Sequence, residues 1–228
     1  MKTIKFLAVL MMLSLSMGVM AQNAMQQKVK QNKSALKEKA SKDAKNEAKR
    51  LKKEGWTVLP GGLPLEKQVD RLYMFLEDFD EDMNPLYIDG TGRAQGENFA
   101  AAQVQATELA RMELAGKIGS EATGIVDNMV ANKMLADDQA ASITTTLVEN
   151  KTIFSQKLGR VQTPLIVTRV LKNNMKEVTV RMVTKKSAVE EIAKEAIRAE
   201  LEKDGKELSE ELKAYFNKIG RASCRERV

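Results

Sequence analysis

Residues 161–185 read VQTPLIVTRVLKNNMKEVTVRMVTK, and this stretch decides the fold class. Two runs rich in β-branched residues, Val161 to Lys172 and Met175 to Lys185, flank Asn173-Asn174, a pair that tolerates the positive φ of a tight turn. They predict an antiparallel hairpin. In its second run Val178, Val180 and Met182 alternate with Thr179, Arg181 and Val183, which predicts a sheet with one covered face.

Working outward, the pattern alternates strands with helices. Trp56 to Leu59 is a short strand stopped by Pro60-Gly61-Gly62, and Leu65, Val69, Leu72, Met74, Phe75, Leu76 and Phe79 mark an amphipathic helix. That helix ends in the acid run Glu77 to Asp82, closed by Asn84-Pro85. Leu86 to Ala94 reads as a strand in which Gly90 and Gly92 permit kinks. From about Asn98 to Gly119 a helix places Ala102, Ala106, Ala110, Leu114 and Ile118 in one i+4 row, with Glu113 intruding near that face. Such small side chains let a helix lie close on a sheet.

A separate helix is expected from Glu121 to Met134, interrupted softly at Gly124, and another from Asp137 to Phe154 with Asp137 or Asp138 as N-cap. After the hairpin, Ser187 and Glu190 have the spacing of a capping box, opening a helix that runs to Asp204-Gly205. A last helical fragment spans Leu208 to Phe216. The fold class expected is α+β, with helices packed on a small antiparallel sheet over residues 55–204.

The two ends read differently. Lys2 and Lys5 precede an apolar run from Phe6 to Leu15 and the small-residue site Val19-Met20-Ala21, so residues 1–21 are expected to be a signal peptide cut before Gln22. The run is shorter than the roughly 20 residues a membrane-spanning helix needs. Residues 219–228 back-translate in frame to a string resembling a common short-read sequencing adapter, so native sequence is expected to stop near Asn217 or Lys218, leaving 205–218 as a truncated helix. Cys224, the single cysteine, falls in that tail, and no disulfide framework is expected.

The net charge of +6 falls to +2 when both ends are set aside. What remains is asymmetric: residues 28–53 hold eleven Lys or Arg against Glu38, Asp43 and Glu47, a net +8, while residues 54–218 carry −6. Residues 22–54 thus form a basic leader. Leu36, Ala40, Ala44, Ala48 and Leu51 give it a helical but nearly coreless stripe, so it is expected to be a frayed solvated helix or disordered rather than packed. Lys42, Lys45, Lys49, Arg50, Lys52 and Lys53 are its candidate contacts for an anionic surface. Nucleic acid is not an expected partner, because no aromatic residue interleaves the lysines to stack bases.

At Tyr87-Ile88-Asp89-Gly90-Thr91-Gly92-Arg93-Ala94, followed by Ala106, Leu109-Ala110-Arg111, Leu114-Ala115 and Ile118 and then by the hairpin from Leu165 to Val183, the chain resembles the envelope lipoproteins of the twenty-kilodalton type and the amino-terminal domain of the flagellar assembly protein T. The resemblance covers roughly residues 86–185. It implies helices on an antiparallel sheet and a binding or scaffolding role with no catalytic site, although this chain lacks the family's lipidated cysteine.

Chemistry narrows the function further. With no histidine, the commonest general base, the usual triads and nearly all transition-metal sites are removed. Gly90, Gly92 and Gly96 are spaced one residue too far for a dinucleotide fingerprint, and Glu77 with Asp80 lacks the cleft that defines a glycosidase pair. Asp78, Asp80, Asp82, Asn84 and Asp89 stand at positions 1, 3, 5, 7 and 12 of a calcium loop, with Met83 where glycine normally turns the chain. The expectation is an exported noncatalytic protein of the bacterial envelope, facing the periplasm or secreted, without cofactor, with a protein-interaction or scaffolding role. Its partner would be another envelope protein or the outer-membrane surface; the alternative is a module that binds calcium or an anionic surface.

Overall fold

The computed structural model describes residues 41–149, 151–159 and 161–203 together with Leu212, Ala214 and Phe216. The expected signal peptide, the leader up to residue 40, most of the 205–218 segment and the adapter-like tail lie outside the described residues. In chain order the elements are helix α1 over residues 41–53, β1 (Thr57–Val58), α2 (Leu65–Leu76), β2 (Tyr87–Gly96), α3 (Phe99–Ala131), α4 (Asp137–Glu149), α5 (Lys151–Lys157), β3 (Gln162–Val170), β4 (Lys176–Lys185) and α6 (Lys186–Lys203). The fold is α+β, as the periodicities predict.

The hairpin forms at the centre. β3 and β4 pair antiparallel, and the sheet order is β1-β3-β4-β2. Asn174 adopts φ 63°, the left-handed geometry for which the asparagine pair is suited. β2 pairs with β4 without interruption from Tyr87↔Lys185 to Gly96↔Lys176. The expected kinks at Gly90 and Gly92 are therefore absent, and neither residue has positive φ. These glycines serve close approach instead. A Cβ on Gly92 would stand 1.8 Å from the Ala106 carbonyl oxygen, and one on Gly90 would stand 2.5 Å from that of Ala110. Backbone meets backbone across the layers, which only glycine on the strand and alanine on the helix permit.

The alanine row behaves as expected: Ala102, Ala106, Ala110, Leu114 and Ile118 are all fully buried. The helix is longer than expected, a continuous 33 residues, because the glycines at its middle sit at helical φ and break nothing. Each i+4 step turns the face by roughly 40°, so the row continuing through Ala122 and Val126 winds steadily around the helix. The helix packs on β2 and β4 and on α4, α5 and α6, with Gly90 and Gly92 of β2 against Ala106, Ala110 and Leu114 and with Phe154 of α5 near Gly119. Leu212 and Phe216 also join this core.

Two helix starts differ from expectation. Asp137 and Asp138 lie inside the first turn of α4, where their charge favours the helix dipole, and Ser187 lies inside α6 rather than before it, because β4 runs directly into the helix and Lys186 N–H donates to the Leu86 carbonyl. The helix expected from Asp137 to Phe154 is divided into α4 and α5.

The second face of the sheet is covered too, contrary to the one-face expectation. Val183, Leu165 and Val167 pack with Leu65, Val69 and Leu72 of α2 and with Ala44, Ala48 and Leu51 of α1 around Trp56. Over residues 41–53 the leader is thus helical but packed. Ala44 and Ala48 are 2% and 1% exposed, so this helix shares a core with the residues that follow it. The methyl stripe suffices because Trp56 and the strand valines supply the bulk opposite it. Gln68 closes the layer: its side-chain amide donates to the Leu63 carbonyl at 2.8 Å and accepts from Ile166 N–H at 2.8 Å, beside the irregular register between Gln162 and Leu165.

Candidate functional site

The acid run does not assemble as a calcium loop. α2 stops at Leu76, and the chain turns back so that Phe79 bridges Pro85. One Asp80 carboxylate oxygen accepts from the backbone N–H groups of Asp82 at 2.9 Å and Asn84 at 2.8 Å. This is turn chemistry. Asp89 is removed to β2, where its carboxylate takes Arg181 and Lys117 as partners. Among the described residues no three His, Cys, Asp or Glu side chains converge on one point. The set Asp78, Asp80, Asp82, Asn84 and Asp89 is therefore corrected to a turn plus a strand ion pair, because β2 begins at Tyr87 and carries Asp89 away.

The basic residues of α1 all lie on its exposed side. Arg50 is held by Glu47 and Glu54, each at 2.6 Å, and Lys52 pairs with Glu66. The Arg50 hydrogen bond, aided by the Arg50 and Arg181 charges against the opposing effect of burial, holds the Glu47 carboxyl below its usual range. Lys45, Lys49 and Lys53 follow one another at four-residue spacing on the exposed side, and Lys42 lies near the same row. Docking of Ala44, Ala48 and Leu51 fixes where these charges point.

A site that sequence reading missed lies between α1 and the second face of the sheet. The register sets Arg93 opposite Thr179 and Thr91 opposite Arg181, so the two arginines stand diagonally on neighbouring strands and on the same face. Arg93 Nε donates to the Thr179 hydroxyl at 3.2 Å. Trp56 is buried among the arginines, with the Arg169 guanidinium 4.4 Å and that of Arg93 5.4 Å from its ring centre, distances at which a cation is attracted to the aromatic face. Arg169 is itself bound to the buried Glu177 at 2.6 Å.

A cavity of about 150 Å³ opens there. Leu51, Leu72, Leu165 and Val167 form apolar walls, and Glu47, Arg50, Arg93 and Arg181 form charged ones. Burial works to raise the Asp89 carboxyl, but the hydrogen bond from Arg181 and the charges of Arg181 and Lys117 outweigh it and hold the group below its ordinary value. A signal for this site existed in the sequence, since Thr91/Arg93 and Thr179/Arg181 are polar alternations on two strands. Bringing them together required the register.

At the edge of β2, Thr91 N–H donates to a Glu113 carboxylate oxygen at 2.9 Å. The glutamate that intrudes near the alanine row thus occupies an outward-facing donor of an edge strand. No family model matches the chain, and neither a curated protein nor a solved structure matches it.

Proposed function

We propose that the chain is exported by residues 1–21 and works in the bacterial envelope as a noncatalytic binding domain, in keeping with its resemblance to envelope proteins of the twenty-kilodalton type. The observation that supports this reading best is α1: a helix docked by Ala44, Ala48 and Leu51 displays Lys45, Lys49 and Lys53 as a fixed basic row, while residues 54–218 are net acidic. Such an array suits attachment to an acidic protein face or an anionic outer-membrane surface, and salt should weaken it. No described helix is long and apolar enough to cross a membrane.

The test has two parts. Expressed whole, the chain should leave the cytoplasm and acquire the mass of a protein beginning at Gln22; retention at full mass overturns export. Mature protein should be captured by envelope extract in a salt-sensitive way, and replacing Lys45, Lys49 and Lys53 together with Ala should weaken capture at least fivefold. Equal capture of both proteins overturns the role of α1.

A further inference from the structure

We infer that the cavity between α1 and the sheet is a binding site for a small carboxylate with a short apolar body. Three observations carry this beyond the surface role proposed above. Arg93 has no carboxylate partner among the described residues; its bonds are to the Thr179 hydroxyl and to the Trp56 ring. Arg181 gives one terminal nitrogen to Asp89 and also lines the cavity. Each guanidinium carries more donors than these partners accept, and a ligand carboxylate takes up the rest.

The third observation is the mixed lining of the cavity. Guanidinium groups match a carboxylate's two oxygens, and the cavity lining combines them with the apolar Leu51, Leu72, Leu165 and Val167. A phosphate would meet the arginines but make no use of the leucine and valine side chains. At about 150 Å³ the space is comparable to a cavity that takes up a benzene-sized molecule, which suits an acid of a few carbons rather than a nucleotide or a peptide. Glu47 also faces the cavity, but Arg50 occupies it through two bonds of 2.6 and 2.8 Å, so it repels the ligand less than a bare carboxylate would.

The chain contains one tryptophan, and it lines this cavity, so emission from Trp56 reports occupancy directly. Full-length mature protein is titrated at fixed ionic strength with butyrate, with neutral butyramide and with inorganic phosphate, and calorimetry is run in parallel. Butyrate should shift Trp56 emission saturably, butyramide should not, and phosphate should bind at least tenfold more weakly. R93Q, a change at an exposed position whose fold is checked by thermal melting, should weaken butyrate at least tenfold, with R93K intermediate. No saturable signal with butyrate, an undiminished affinity in a folded R93Q protein, or phosphate binding as tightly as butyrate each overturns the assignment. Because the lysine row of α1 is untouched in these variants, salt-sensitive capture by envelope extract should persist in R93Q.

Discussion

Gly92 on β2 lies beneath Ala106 on α3 so closely that a side chain on the strand would overlap the helix carbonyl, 1.8 Å away. The obstacle is backbone on both sides, and neither element has a flexible group to move. G92A is expected to cost more than about 4 kcal/mol and A106W to leave the domain unfolded, whereas G124A, at an exposed helical position where an added Cβ meets nothing within 4 Å, should stabilise by roughly 0.5–1 kcal/mol. Urea denaturation of the three proteins checks the set.

The leader helix makes a second prediction. Placing a carboxylate at Ala48, which is 1% exposed, puts a charge against Trp56 and the strand valines. A48E should lose about 3 kcal/mol or more, while K49A, one residue on and exposed, should change stability by no more than about 0.5 kcal/mol. Equal melting of A48E and the parent would mean that α1 does not belong to the core.

Asp89 links the ion-pair network to pH. Its folded carboxyl titrates below its unfolded value, so on acidification the unfolded chain takes up the proton first and the stability from this group drains away as pH falls from about 4, the unfolded pKa, through the folded one. D89N removes the charge opposite a partly buried Arg181, 28% exposed in its side chain. It should cost roughly 1–3 kcal/mol at pH 7, and the gap between variant and parent should narrow as pH drops below about 4. A constant gap from pH 7 to pH 2.5 in chemical denaturation would contradict the pairing.

Gln68 holds a loop and a strand at once. Q68M keeps the volume but strands Ile166 N–H and one acceptor bond of the Leu63 carbonyl, an expected loss of about 2 kcal/mol. The local signature is faster hydrogen exchange at the Ile166 amide; unchanged protection there would show that another group supports the β3 irregularity.

The sequence by itself determined what is periodic and local. The alternation on either side of Asn173-Asn174 was enough for the hairpin, and the i+4 row from Ala102 to Ile118 was enough for a helix pressed on a sheet, because two-residue and 3.6-residue periods are properties of the backbone that carries them. Only the tertiary structure decided which surfaces meet. The stripe of Ala44, Ala48 and Leu51 looks coreless alone, since a methyl stripe is buried only if another part of the chain supplies bulk, and here Leu165 and Val167 arrive from more than a hundred residues away. Gly92 looks like a kink until the helix lies on it. Arg93 and Arg181 are two distant polar residues in the chain, and it is the strand register, which flips every side chain to the other face if it slips by one, that makes them neighbours around one cavity.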